Sequence, residues 1–216
     1  MTKVGIIGAS GMAGQAIYHL ATLTSGLTVT GIVRHEKRAK EVLGNSAQLI
    51  VKDVLALDNQ QLAKFDVLVD AFNPGPQHAE QQVTLAQKLV QVAATNTNMR
   101  LIFILGAGSL LTGQDRHRFV DDIAKVPGAD KWINTPKQQF KELEYLATVN
   151  NADWLGISPS MTFEEGPATG YVIGGDDLLF DDKGASKVTS GTMAKLIVNE
   201  IVKPQHHRER ITVINA

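Results

Sequence analysis

Three glycines at three-residue spacing, directly after a short apolar segment, constrain the fold of this chain more than any other feature. Val4–Ile7 predicts a buried strand, and a helical pattern of apolar residues begins at Met12. Between them, Gly8 would form a tight turn, Gly11 would admit an anion, and Gly14 would let the helix pack on the strand. This arrangement predicts a dinucleotide site with the phosphates at a helix N-terminus. The alternative is a packing turn that binds nothing.

Composition limits the remaining possibilities. The chain has 216 residues, a formal net charge of −1 and 44% hydrophobic residues. This length fits one domain, and the balanced charge favours neither nucleic acid nor an anionic membrane surface. No apolar run is long enough to span a bilayer, and no signal peptide is recognisable, so we expect a cytoplasmic protein. The chain has no cysteine, which excludes disulfides, thiolate catalysis and cysteine-bound metals.

Apolar runs alternate with helical patterns, as in a doubly wound parallel sheet. The runs are rich in Val, Ile and Leu without alternation, which is typical of strands buried on both faces. We therefore predict an α/β, Rossmann-type fold. The predicted strands are Val4–Ile7, Thr28–Val33, Ala47–Val51, Val67–Ala71, Leu101–Leu105 and Trp154–Ile157. The predicted helices are Met12–Thr22, Arg38–Leu43, Gln77–Ala94 and Lys137–Asn150.

The regular alternation of apolar runs and helical patterns ends after residue 158. We expect residues 1–158 to form the cofactor-binding core of one domain, and residues 159–216 to form a small C-terminal lobe that shapes a substrate pocket. In this part, Tyr171–Ile173 and Leu178–Asp181 predict a hairpin or a pair of short strands. Ser190 could cap a helix that runs to Val202, and Arg210–Ile214 predicts a closing strand.

A basic segment follows the second predicted strand. Sites that prefer NAD usually place an acid here for the ribose 2′-hydroxyl, whereas this chain places Arg34. An arginine can grip a 2′-phosphate that a carboxylate would repel, so we favour NADP(H) over NAD(H). Two alternatives remain. Glu36 could act as a displaced ribose acid, or Arg34 could merely cover the adenine.

Further cofactor contacts are expected where other strands end. Asp53 could accept a hydrogen bond from the adenine amino group, or it could belong to an ordinary turn. Phe72 and Asn73, in a loop made rigid by two prolines, should face the cofactor ribose and phosphates. The expected contacts are completed by the other residues of the glycine turn and by the glycine after the fifth strand: Ser10, Met12 and Gly106.

Three residues are candidates for a substrate pocket, because ligands of open α/β sheets lie beyond the carboxyl ends of the strands. Ser109 follows the fifth strand and could orient a substrate, or it could simply occupy a glycine-rich turn. Met161 and Phe163 follow the sixth strand and could form an apolar wall against a planar ligand, or they could pack in the core. The polar segment Thr112–Asp130 is a candidate lid or pocket wall. No metal-ligand spacing is present.

These segments together resemble the atypical short-chain dehydrogenases grouped as NADH-flavin reductases, which lie beside the NmrA-like redox sensors and the biliverdin-reductase-B-like flavin reductases. The similarity covers nearly the whole chain, and it implies a Rossmann fold, NADP(H) or NAD(H) binding and flavin reduction. The binding glycines carry over to Gly8, Gly11 and Gly14. The residues that carry the resemblance are Lys3–Gly14, Ile32–Arg34, Asp70–Phe72, Trp154–Pro159 and Tyr171–Leu179.

One departure from the wider superfamily is informative. Standard short-chain dehydrogenases protonate the forming alkoxide with a tyrosine that stands four residues before a lysine, and here Lys137 is preceded at that spacing by Ile133. Carbonyl reduction by that route is therefore not expected. We expect hydride transfer from NAD(P)H to a planar acceptor, a flavin or a quinone-like compound, with flavin as substrate rather than bound cofactor. A non-catalytic NAD(P)-binding sensor is the alternative, and an epimerase or dehydratase ranks third. We expect a monomer or homodimer.

Overall fold

A computed structural model describes residues 1–216, and its centre is an eight-stranded sheet. The strands are β1 (Thr2–Ile7), β2 (Leu27–Val33), β3 (Leu49–Val51), β4 (Val67–Asp70), β5 (Arg100–Ile104), β6 (Leu111–Thr112), β7 (His117–Arg118), β8 (Asp153–Pro159), β9 (Thr162–Glu164), β10 (Tyr171–Gly174), β11 (Lys187–Thr189) and β12 (Glu209–Asn215). The helices are α1 (Met12–Thr22), α2 (Glu36–Leu43), α3 (Asn59–Leu62), α4 (Glu80–Ala94), α5 (Phe119–Ile123), α6 (Asn134–Leu146) and α7 (Ser190–Val202).

The sheet has the order β10-β12-β8-β5-β4-β1-β2-β3, and every neighbouring pair is parallel except β10 with β12. Its direction of growth reverses between β1 and β4, so the carboxyl ends of these strands flank a crevice. The predicted doubly wound Rossmann-type fold is confirmed. No helix combines the length and the hydropathy needed to cross a membrane.

Each face of the sheet carries its own apolar core. On one face, Val4 and Ile6 of β1 pack with α1 and α7. On the other face, Ile7 packs with Leu68 of β4 and with α4. Because successive strand side chains point to opposite faces, the unbroken apolar run of β1 supplies both cores.

The C-terminal segment is integrated into these layers. β12 pairs with β8, β10 pairs with β12, and α7 joins the same core as α1. Residues 159–216 therefore share the apolar core that contains α1 and α7. The stretch after β8 lies at the carboxyl edge of the sheet. There β9 and β11 form a small parallel pair.

One of the two predicted short strands, Tyr171–Ile173, is present, but the predicted hairpin is wrong. Tyr171–Gly174 pairs with β12, in the register Tyr171 opposite Asn215, and Leu178–Asp181 is not a strand. The helix predicted from Ser190 to Val202 is present, but its cap is Thr189, whose hydroxyl accepts from the backbone N–H of Thr192. The segment expected to be a polar loop contains the β6–β7 hairpin and α5.

Candidate functional site

Two adjoining cavities lie at the carboxyl edge of the sheet. The first has a volume of about 210 Å³ and lies beyond β1, β2 and β4. It contacts six of the residues predicted to bind a cofactor. These are Gly8, Ser10, Gly11, Arg34, Phe72 and Asn73.

The glycine turn has the geometry that a pyrophosphate requires. Gly8 has a φ of +73°, which side chains rarely tolerate, and its N–H donates to Ile32 at 3.0 Å. A Cβ on Gly14 would lie 2.2 Å from the Gly8 carbonyl oxygen, so α1 can approach β1 only with glycine there. The N-cap residue Gly11 has no side chain to satisfy the first-turn amides of α1. Those N–H groups and the helix dipole therefore fit a dinucleotide phosphate.

The outer end of the first cavity is basic. Arg34, His35, Arg38 and Lys52 line it, and no carboxylate does. Glu36, the alternative ribose acid, instead pairs with Lys40 at 2.7 Å on the surface of α2.

Asp53 and Gly14 do not line the first cavity. The Asp53 carboxylate accepts from the N–H of Leu55 at 2.9 Å and caps a short 3-10 turn, while its neighbours Lys52 and Val54 contact the cavity. The contacts of Asp53 are therefore those of an ordinary turn, which was the alternative to a contact with the adenine. Gly14 does not contact the cavity itself, but it allows α1 to pack closely against the glycine turn that does.

The second cavity is larger, at about 730 Å³, and it is apolar. None of its 22 lining residues is ionisable, and 13 of them are hydrophobic. It shares Gly11, Ala71, Phe72 and Asn73 with the first cavity, so the two form one continuous cleft. The predicted residues Met12, Gly106, Met161 and Phe163 lie here.

The segment Thr112–Asp130, a candidate pocket wall from sequence, contributes Phe119, Ile123 and Val126 to the second cavity, whereas other lining residues were missed from sequence. One of the missed residues is Trp132, which lies between α5 and α6 along the chain. The start of α6 contributes Thr135, Pro136 and Gln139. The four-residue spacing of Thr135 and Gln139, one helical turn, was the available signal for a cavity-facing stripe.

Ser109 is not a pocket residue, which corrects the prediction. Its side chain is 1% exposed, and its hydroxyl donates to the carbonyl of Gly106 at 3.2 Å. Arg210 of β12 contacts the same hydroxyl at 3.4 Å and is itself paired with Asp176. The segment Gly174–Asp177 thus supplies the counter-ion of a buried arginine behind the cavity.

Two buried carboxyl groups lie beneath the junction of the cavities. Asp70 ends β4 and accepts from the N–H of Phe72 at 2.9 Å, and Glu142 is 3% exposed on α6. Burial raises the pKa of Asp70 to about 7, against the effect of the Phe72 hydrogen bond. Burial, and then the charge of Asp70, raise the pKa of Glu142 well above its usual range. Neither carboxyl group lines a cavity.

The three tyrosines do not supply the missing proton donor. The Tyr18 hydroxyl accepts from the N–H of Gln48, and the Tyr171 hydroxyl accepts from Asn199, each at 2.9 Å. Tyr145 is half-buried toward the end of α6, and none of the three lines the second cavity. The second cavity can therefore bind and orient a ligand, but its walls offer no titratable group.

The sheet order, the glycine turn and the first cavity define a Rossmann-type nucleotide-binding protein. Residues 8–204 match the model of the NAD(P)H-binding family, and the chain belongs to that family.

The chain is similar to other proteins over their whole length. The Bacillus subtilis protein YwnB is 30% identical over 99% of this chain and 98% of its own. A Lactobacillus casei structure is 33% identical with a TM-score of 0.90, covering both chains fully. A Streptococcus pneumoniae structure, described as a proposed NADH-flavin reductase, is 30% identical with a TM-score of 0.85, again over both full chains.

Proposed function

We propose that this protein is an NAD(P)H-dependent oxidoreductase that reduces a planar acceptor, a flavin or a quinone-like compound. The observation that carries the proposal is the apolar cavity, which continues directly from the dinucleotide cavity through Gly11, Phe72 and Asn73. A ligand in the second cavity would therefore lie against the inner end of a dinucleotide in the first. The description of the similar Streptococcus pneumoniae protein is consistent with this proposal.

The proposed reaction suits walls without acids or bases. A bound NAD(P)H supplies a hydride, so that acceptor, NAD(P)H and one proton give the two-electron-reduced acceptor and NAD(P)⁺. The protein positions the acceptor through the flat side chains of Phe72, Phe119 and Phe163. The proton can come from water at the open mouth of the cleft, because a reduced flavin or quinone anion is protonated by solvent.

The basic outer end supports NADP(H) as the preferred cofactor. Arg34 and Arg38 line the first cavity and form no ion pair within the chain, so both guanidinium groups are available to a 2′-phosphate. Glu36, which could favour NAD(H), is engaged with Lys40.

An epimerase role receives less support. A Bacteroides thetaiotaomicron structure with 28% identity and a TM-score of 0.85 is described as a proposed epimerase. Epimerisation moves a proton on and off carbon and needs a positioned acid or base. The walls of the second cavity provide none.

The test follows oxidation of NADPH, and separately of NADH, with riboflavin, FMN, FAD and a naphthoquinone, alongside a binding titration of each cofactor. Turnover above the protein-free rate, with a lower KM for NADPH than for NADH, is the expected result. Tight cofactor binding without turnover on any acceptor would overturn the reductase proposal and favour a dinucleotide sensor. Absence of cofactor binding would overturn both.

A further inference from the structure

We propose that the acceptor is an uncharged planar ring with a carbonyl edge, aligned by the side-chain amide of Gln139, and that phosphorylated or sulfonated acceptors are disfavoured. This inference rests on the proposed function and narrows its substrate class. Unphosphorylated isoalloxazines and quinones share the required chemistry.

The two cavities of the cleft differ in charge. The dinucleotide cavity has four basic lining residues, whereas the second cavity has no charged one among 22. A phosphate brought into the second cavity would lose water without gaining a cation, which is unfavourable. The same walls accept a neutral ring without this loss.

The walls of the second cavity carry aromatic rings and a flexible thioether. Aromatic rings come from Phe72, Phe119, Trp132 and Phe163, and Met161 adds a flexible thioether. Aromatic and thioether groups favour contact with a flat π-system over a puckered sugar. A volume of about 730 Å³ is enough for a ring system of two or three fused rings.

The second cavity also contains a side-chain amide without a partner. In this part of α6, Asn134 donates to Pro76 and Gln138 donates to Asn134, but the Gln139 amide makes no hydrogen bond within the chain. Gln139 lines the cavity, and its Oε1 lies so close to Gly106 that a Cβ there would come within 2.0 Å of it.

An amide carries both a donor and an acceptor, so it can pair with the carbonyl and imide edge of an isoalloxazine or with a quinone oxygen. In this proposal Gln139 is a positioning residue. It orients the acceptor ring for hydride addition and takes no proton itself.

The first arm of the test compares ligands that share a ring and differ in charge. Riboflavin is paired with FMN, and a naphthoquinone with its sulfonate; binding to the NADP⁺-loaded protein is measured by calorimetry and kcat/KM by NADPH oxidation. We expect the neutral member of each pair to bind about fivefold more tightly or better, since the charged group finds no cation. Equal or tighter binding of FMN and the sulfonate would overturn the inference.

The second arm compares two glutamines on one helix. Q139L should raise the acceptor KM and Kd about fivefold to tenfold, the value of one neutral hydrogen bond, and leave the Kd for NADPH unchanged. Q138L, whose side chain does not line the cavity, is the matched control and should behave as the wild type. If Q139L and Q138L are indistinguishable, Gln139 does not align the acceptor.

These outcomes separate the inference from the proposed function. Turnover with a preference for FMN would leave a reductase with the wrong acceptor class. Binding of neutral rings without turnover would support the assignment of the cavity while overturning the reductase. The calorimetric arms therefore decide the inference even without activity.

Discussion

The two cavities of this protein meet at Gly11, Ala71, Phe72 and Asn73, yet they differ in chemistry and in how the sequence encodes them. The phosphate end of the dinucleotide cavity is formed by one local motif, Ile7–Gly11, whereas its basic outer end comes from residues that follow β2 and β3. The second cavity is built from side chains of α5, α6 and the segment after β8, which lie far apart along the chain. A binding motif for a common cofactor can thus be local, while a side-chain pocket such as the second cavity is assembled by the fold.

The largest expected effect comes from filling the glycine turn. Gly14→Val should lower the free energy of unfolding by about 4 kcal/mol or more and abolish NADPH binding, because its Cβ would meet the Gly8 carbonyl at 2.2 Å and the Ala9 Cα at 2.8 Å. Chemical denaturation and calorimetric titration measure the two effects.

The matched control for this substitution is Gly175→Ala, because an added Cβ at Gly175 meets nothing within 4 Å. Its stability and its affinity for NADPH should stay near the wild-type values. A Gly14→Val protein that still binds NADPH with unchanged affinity would show that the phosphates lie elsewhere.

Features set by nearby residues could be predicted from the sequence, whereas features set by distant contacts could not. The bounds of α1, Met12–Thr22, follow directly from the glycine turn and the apolar periodicity, and the structure has the same bounds. The hairpin prediction failed because local turn chemistry suggested a partner seven residues away, whereas Tyr171–Gly174 pairs with a strand about forty residues later. Nothing in the local sequence records that pairing.

The candidate site shows the same division. Ser109 looked like a pocket hydroxyl because it follows β5, but Arg210, a hundred residues later, lies behind it and the hydroxyl turns to Gly106. Gln139 was missed because α6 packs its apolar side on one core and offers a polar stripe to the cavity. A polar stripe on a helix is also what solvent exposure produces, so its pattern alone could not identify a site.

The stability of the protein should depend on pH through Asp70, the buried carboxyl group beneath the junction of the two cavities. Below about pH 4 Asp70 is protonated in both the native and the unfolded protein. As pH rises toward about 7 it ionises first in the unfolded chain, because its native pKa is raised to about 7, so native stability is lost over this window. Asp70→Asn keeps an acceptor for the Phe72 N–H and removes the charge. It should therefore be more stable than the wild type near pH 8, by up to about 4 kcal/mol, and its stability should fall less steeply with pH.

Denaturant unfolding between pH 5 and pH 8 measures this slope. Asp66→Asn, at an exposed carboxylate just before the same strand, is the control and should keep the wild-type slope. Adding Glu142→Gln should flatten the slope further, since burial raises the pKa of that carboxyl group as well. Parallel profiles for Asp70→Asn and the wild type would show that Asp70 is ionised in the native state throughout.

A substitution at the basic end of the first cavity should have a smaller effect, confined to the affinity for NADPH. Arg34→Ala should weaken NADPH binding about tenfold or more and change NADH binding less than about twofold, because only NADPH carries the 2′-phosphate. Lys37→Ala removes the same charge from the same segment at a side chain that does not line the cavity, so it should alter neither affinity by much. Equal losses for both cofactors in Arg34→Ala would place Arg34 over the adenine instead.

The smallest expected effect lies in the second cavity and tests its assembly from distant elements. Gly106→Ala, after β5, would bring a Cβ within 2.0 Å of Oε1 of Gln139 on α6, and the flexible end of that side chain must turn away. Acceptor KM should then rise by about fivefold, as in Q139L, because the same hydrogen bond is lost by displacement instead of deletion. The double variant Gly106→Ala/Gln139→Leu should be no worse than either single one, since both remove one interaction. If the increases in acceptor KM were additive in the double variant, Gly106 would act on the cofactor or acceptor through its own backbone. The NADPH affinities of the wild type, the two single variants and the double variant would then show which of the two cavities Gly106 serves.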